Sequence, residues 1–218
     1  MVITVASFKG GVGKSTTAVH LAKFFHELAP TLLVDGDPNR SVTKWAARGT
    51  ATLPFKVIDE RLLAKEARHY THTVIDTKAR PDEEDLAALI AGSDLLILPC
   101  TPQALALETL EFAVNDLKRL GGNSYRILLT DVPPLPQRDG EDARALLTDL
   151  GLPLFSRHIR RAKAFQRAAI LGCTVREVSD ERSVVAWNDY EEVGNEILTL
   201  LKEQGIEHHQ ELRHEHRA

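Results

Sequence analysis

Only two cysteines, Cys100 and Cys173, occur in the 218-residue chain, far apart and with no second C-x-x-C partner. That scarcity argues against a disulfide scaffold or a zinc module and makes a reducing cytoplasm the expected setting. No apolar run approaches the roughly 18 residues of a membrane span, and the N-terminus lacks a charged leader ahead of an apolar core. A soluble, cytoplasmic protein is expected. Positive charge is not in excess, since the formal net charge is -4. Any contact with nucleic acid must therefore come from a local patch and not from the overall field. Internal repeats and low-complexity linkers are also missing. The length suits one α/β domain over residues 1–204, followed by a polar tail over 205–218.

What the sequence does have is concentrated near its start. Phe8-Lys9-Gly10-Gly11-Val12-Gly13-Lys14-Ser15-Thr16 lies between an apolar β-type run, residues 2–6, and a helical pattern with Ala18, Leu21, Ala22, Phe25 and Leu28 on one face. Strand, glycine loop and helix in that order make a phosphate site. Glycines let backbone N–H groups converge on the anion, and the new helix adds the positive end of its dipole. Lys14 brings a mobile charge to the outer phosphates and Ser15 offers a hydroxyl to Mg²⁺. The generic loop begins with glycine, where this chain has Phe8, and a second lysine, Lys9, precedes the paired glycines.

Residues 31–35 read as a short buried strand ending in Asp35, with a turn through Gly36-Asp37-Pro38 into a helix over about 42–48. Acids just past the carboxyl end of a parallel strand share an edge with the loop, so Asp35 and Asp37 are site candidates, although a solvated turn could hold the same residues. Residues 55–58 suggest another strand, with a helix over about 59–68. The run His72-Thr73-Val74-Ile75-Asp76 is an apolar strand ending in one carboxylate, the pattern of the acid that holds Mg²⁺ through water in phosphate-loop enzymes. Asp82 to Asp85 open a helix to about residue 91, where acids offset the helix dipole. Strands over 94–99, 125–130 and 153–155 and helices over 103–120, 141–150 and 184–203 complete the alternation. Phe112 is counted among the apolar residues of the long helix. The expected fold is α/β, a mostly parallel twisted sheet with helices on both faces, as in P-loop NTPases.

The Lys-Gly-Gly-x-Gly-Lys-Ser form, residues 9–15, resembles the deviant phosphate loop of the ParA/MinD family of dimeric ATPases, and Asp35-Gly36-Asp37-Pro38 resembles the element in which that family's second acid positions the attacking water. The resemblance implies ATP and Mg²⁺ as cofactors. Gly10, Gly11, Val12, Gly13, Lys14, Ser15 and Thr16 would bind nucleotide, with Ser15, Asp76 and, as a metal-shell or structural candidate, Asp35 toward the metal. Catalytic roles would fall to Lys9, Lys14 and Asp37, Lys9 reaching across an ATP-dependent homodimer. Thr77-Lys78-Ala79-Arg80-Pro81 departs from the Asp-x-Pro-Pro usual in the family. That passage, with residues 95–99 and 104–107, is similar to the stand-alone ParA relatives that position carboxysomes. An adaptor protein, ParB-like or McdB-like, would stimulate slow hydrolysis.

Arg157, Arg160, Arg161, Lys163, Arg167 and Arg176 stand in a segment without a single acid. Phosphate-backbone contact is one reading of it and a salt-bridged helix face the other. The resemblance implies that Arg160 belongs to a DNA-binding surface, with Arg157, Arg161, Lys163 and Arg167 beside it. Arg138 and Arg144 are weaker candidates near the nucleotide. With eight residues before Lys9 there is no room for a helix-turn-helix, so non-specific DNA and a nucleoid-associated location are expected. The tail has no amphipathic membrane-targeting helix, and its four histidines, His208, His209, His214 and His216, read as solvated. A metabolic relative of the cobyrinic acid amidase or dethiobiotin synthetase type is the main alternative. An iron-sulfur reductase would need cysteines placed unlike Cys100 and Cys173, and a nucleotide switch without turnover is the remaining possibility.

Overall fold

The computed structural model describes residues 1–48 and 52–205. Six strands form one sheet: β1 (Val2–Ser7), β2 (Thr31–Asp35), β3 (Lys56–Asp59), β4 (His72–Ala79), β5 (Leu95–Cys100) and β6 (Tyr125–Leu129). Their order is β3-β2-β4-β1-β5-β6, and every pairing is parallel. Helices α1 (Lys14–His26), α2 (Ser41–Ala46), α3 (Leu63–Glu66), α4 (Glu83–Gly92), α5 (Ala104–Arg119), α6 (Asp139–Asp149), α7 (Lys163–Leu171) and α8 (Glu181–Glu203) surround it.

The strands are apolar almost throughout because both faces are covered, and side chains alternate between the two faces, with Leu32, Val34 and Ile58 forming a small cluster of their own. Ile3, Val5, Leu33, Val74, Leu95 and Ile97 enter the core shared with α1, α2, α7 and α8. Ala6, Leu96, Leu98, Cys100, Ile127 and Leu129 enter the core shared with α4, α5 and α6. Cys100 and Cys173 fall in different cores, both buried as free thiols. On the first face α8 presses directly against α1. A Cβ on Gly194 would lie 2.4 Å from the Phe24 ring, so the helices approach there at a distance only glycine allows.

Four expectations need correction. The strand over 153–155 reduces to a single parallel bridge between Ile127 and Leu154, because Pro153 has no N–H with which to extend a ladder. The helix over 59–68 breaks into a 3-10 turn, α3 and a second 3-10 turn, none of which buries a residue. Phe112 does not join the core, being 73% exposed. Strand β4 runs three residues past Asp76, after a register shift that pairs Ser7 with Ala79. The polar tail expected over 205–218 lies, from residue 206 on, outside the described residues, as do its histidines. No helix among the described residues is long and apolar enough to cross a membrane.

Candidate functional site

Strand β1 lies between β4 and β5, so the glycine loop at its C-terminal end faces the ends of β4 and, one strand further, β2. Gly11 and Gly13 take left-handed φ values of 80° and 84°. Gly13 is the N-cap of α1, and its carbonyl accepts the first helical bond from the Thr17 N–H at 2.8 Å. Those backbone angles, costly for any residue with a Cβ, turn the chain so that the N-terminus of α1 opens at the sheet edge. From the far side the Thr130 hydroxyl, just past β6, donates to the Val12 carbonyl at 2.8 Å. The position of Thr130 at the end of a strand is its only trace in the sequence.

Within this edge the structure brings Lys14, Ser15, Asp37 and Asp76 together. The Lys14 ammonium, 7% exposed, donates to Asp37 Oδ2 at 3.1 Å, to Asp76 Oδ1 at 2.8 Å and to the Thr77 carbonyl. Ser15 Oγ donates to the other Asp76 oxygen at 2.7 Å. Complete burial pushes the Asp76 carboxyl upward, opposed by Lys14 and the Ser15 hydroxyl and reinforced by Asp35. For Asp37, burial works in the same direction, but the Asn39 N–H and the Lys14 ammonium outweigh it and hold the carboxyl below its usual range. Asn39 reaches Asp37 Oδ1 through both its backbone N–H, at 2.8 Å, and its side-chain amide, at 3.0 Å.

Asp35 is placed differently. One of its oxygens accepts from the Thr43 N–H at 2.8 Å and the Thr43 hydroxyl at 2.6 Å, and the other from the Asp37 N–H at 3.3 Å. Of the two roles open to it, this geometry favours the structural one, tying the Asp37 turn to α2. Gly36 makes that turn possible, because a Cβ there would sit 3.1 Å from the Asp76 carbonyl and 3.0 Å from Glu60. Hard oxygen donors few in number suit Mg²⁺, which keeps several waters and takes substrate phosphate as well. Ser15 and Asp76 fit that description. No cluster of three or more His, Cys, Asp or Glu suited to a metal occurs among the described residues.

Lys9, half-buried at the loop mouth, makes no ion pair among the described residues. Beside it the Ser7 hydroxyl is buried without a partner. The neighbouring Cys100 thiol is pushed up to about 12 by burial, with Lys9 acting weakly in the other direction.

The basic segment is less bare in space than in sequence. Arg157 and Arg160 both close on Asp189 of α8, which is 1% exposed, at 2.8 and 2.7 Å. Arg161 pairs with Asp131 at 2.9 Å, and Arg167 lies 3.8 Å from Asp180. Lys163 is exposed and has no ion-pair partner among the described residues. The acids come from about 13 to 32 residues away in the chain, which is why a local reading of charge could not see them. Arg144 donates to the Phe155 carbonyl at 3.0 Å, and Arg138 pairs with Glu141 on the surface.

Residues 3–175 match the family described as CobQ/CobB/MinD/ParA nucleotide binding domain. The maintenance of carboxysome distribution protein A of Gloeobacter kilaueensis is 38% identical over 201 residues, spanning 90% of this chain and 93% of that protein. Among solved structures, a variant of Cyanothece McdA in complex with ATP gives a TM-score of 0.69 at 17% identity, over 91% of this chain and 96% of that one. A plasmid partition protein of Borrelia burgdorferi bound to AMPPNP gives 0.68 at 20% identity, over 91% and 98%. At such identities the two structures speak to the fold alone.

Proposed function

The chain belongs to the CobQ/CobB/MinD/ParA nucleotide-binding family, and from that premise we propose that it is a ParA-type ATPase that positions a cargo over the nucleoid. The observation that carries the reading is the convergence of the Lys14 ammonium on Asp37 and Asp76 at the mouth of a glycine loop that also presents Lys9, which has no ion pair among the described residues.

In this reading ATP lies along the loop from Gly10 to Thr16, with the backbone N–H groups and the dipole of α1 on its phosphates. Lys14 exchanges Asp37 for the outer phosphates and balances the charge that develops during transfer. Asp37, once released, orients water in line with the terminal phosphorus. Ser15 and Asp76 are the residues that would hold Mg²⁺, which would supply further charge neutralisation. The chemistry is mainly positional and electrostatic. Lys9 completes the site of a second copy, so the ATP-bound form is a dimer.

That dimer binds DNA without sequence preference through Lys163, Arg167 and the exposed edges of Arg157, Arg160 and Arg161. A partner adaptor stimulates slow hydrolysis, the dimer parts, and DNA is released. The Gloeobacter relative is named for carboxysome distribution, which supports a protein body of that kind as cargo in preference to a plasmid.

Duplex binding measured with ATP, ADP and no nucleotide across a salt series tests the cycle. Tight, salt-sensitive binding is expected with ATP alone. Equal binding in all three conditions, or none with ATP, would remove nucleotide gating from the proposal.

A further inference from the structure

Three residues other than glycine hold positive φ among the described residues, namely Arg40 at 53°, Arg80 at 55° and Asp131 at 51°. All three follow strands at the sheet edge that carries the glycine loop. Left-handed backbone is costly for a residue with a Cβ, and persists where the surroundings or a function require it. For two of the three, the side chain explains the conformation. Arg40 donates to the Asp35 carbonyl at 2.8 Å and pairs with Asp59 at 2.7 Å. Asp131 receives the Arg161 fork at 3.0 and 2.9 Å.

Arg80 is the exception. Its N–H donates to the Ser7 carbonyl at 2.8 Å, which pins it against the residue just before Phe8 and Lys9. Its side chain is exposed and has no hydrogen bond or ion pair among the described residues. Three of the acids close to it in sequence are engaged elsewhere, and the exposed Glu84 makes no ion pair with it. Asp82 and Asp85 cap one another and pair with Lys78, and Glu83 pairs with Arg119 at 3.0 Å. A strained backbone position beside the start of the loop thus carries an arginine whose exposed side chain has no partner among the described residues. It is four residues past Asp76 and three past the Thr77 carbonyl that Lys14 touches.

We propose that Arg80 is a second cation for the terminal phosphate of a triphosphate held in its own subunit's glycine loop. The inference rests on reading that loop as an ATP site. A planar fork of donors suits a phosphate better than a point charge does. The Arg80 backbone is fixed beside Ser7, at the Lys9 end of the loop and not at the Ser15 end. Arg80 would therefore distinguish triphosphate from diphosphate.

Arg80→Gly removes the guanidinium and relaxes the backbone, because glycine adopts this φ freely. Affinities for AMPPNP and ADP are measured at a dilution where sedimentation shows a monomer, in wild type, Arg80→Gly and Arg80→Lys. We expect Arg80→Gly to lose roughly ten- to hundredfold in AMPPNP affinity while ADP affinity stays within about twofold. Arg80→Lys should recover part of the loss, and the thermal midpoint of Arg80→Gly should equal or exceed that of wild type. Equal losses for both nucleotides with a lowered midpoint would assign Arg80 a structural role and overturn the inference. Unchanged nucleotide binding with weakened duplex binding would place it in the DNA surface and overturn it as well. If wild type itself failed to bind AMPPNP, the ATP reading would fall with it, an outcome distinct from either of these.

Discussion

The Lys14 ammonium lies 3.1 Å from Asp37 Oδ2, so the residue proposed to hold the outer phosphates contacts the one proposed to orient water. Both groups are almost completely buried, and Asp76 completes the cluster at 2.8 Å. In the proposed site, a phosphate entering the loop would compete with Asp37 for the same ammonium.

Lys14→Ala removes the only cation that, among the described residues, pairs with Asp37 and Asp76. Nucleotide affinity should fall by more than about a hundredfold, since a buried charge-assisted contact to phosphate is lost. Stability should also fall, by roughly 1–3 kcal/mol, because the buried Asp76 carboxylate keeps only the Ser15 hydroxyl. Fluorescent-nucleotide titration and urea unfolding read the two effects separately. Undiminished ATP binding in this variant would move the phosphate site away from the loop.

Asp37→Ala should act in the opposite sense on binding. Lys14 then has one carboxylate fewer to leave, so ATP affinity should stay level or rise, whereas phosphate release should drop by roughly 10²–10⁴-fold if Asp37 positions water. Dimer persisting with ATP, followed by light scattering, is the third expected sign. Hydrolysis at the wild-type rate would take Asp37 out of the chemistry.

Arg160 is a poor probe of DNA contact on its own. It shares the buried Asp189 with Arg157 and also donates its backbone N–H to that carboxylate at 3.1 Å. Arg160→Ala leaves a desolvated acid with only Arg157 and the backbone N–H of residue 160 among its described partners, and we expect a loss of about 1–3 kcal/mol, below the figure for a fully buried pair because Arg160 is itself 38% exposed. Lys163→Ala and Arg167→Ala disturb no buried group. In combination they should weaken duplex binding and flatten its salt dependence by roughly one to two units of slope, with stability unchanged. Full duplex affinity in that double variant would mean that α7 is not the DNA surface.

The layout of the sheet was legible because buried parallel strands are short apolar runs, and the runs ending in Asp35 and Asp76 each marked the same edge. The loop was legible because Gly11 and Gly13 sit where left-handed backbone is needed. What stayed hidden was everything set by distant partners. Asp189 is one polar residue in an amphipathic helix until the fold brings Arg157 and Arg160 to it. Thr43 gives no sign in sequence that it will occupy Asp35. The strand expected at 153–155 failed on a local detail, the missing N–H of Pro153, and Phe112 was misplaced because helical spacing alone does not say which apolar residues face outward. Arg80 was visible as a departure from a familiar pattern, but its backbone conformation was not.

His20 ties the first turn of α1 to the C-terminal elements and should make stability depend on pH. Its Nδ1–H donates to the Thr16 carbonyl at 2.7 Å, and its Nε2 accepts from the Val175 N–H at 2.9 Å, which requires a neutral ring. The ring is fully buried and stacks on Tyr190 with centroids 4.8 Å apart. Burial lowers its pKa to about 4, against smaller opposing effects from the Thr16 carbonyl and Glu177. Above pH 6.5 folded and unfolded chains both carry a neutral imidazole, and His20 contributes no pH dependence. Between 6.5 and about 4 the unfolded chain takes up a proton that the folded one refuses, so stability falls by about 1.4 kcal/mol per pH unit, to a total of about 3 kcal/mol. His72, also lowered to about 4 by burial, adds to the same limb. His20→Phe keeps the ring contacts but orphans the Val175 N–H, at a cost of roughly 1–3 kcal/mol near pH 7.5. Because the variant lacks the titration, its deficit relative to wild type should shrink as urea unfolding is repeated toward pH 4.5. A deficit that stays constant over that range would show that another group carries the acid limb.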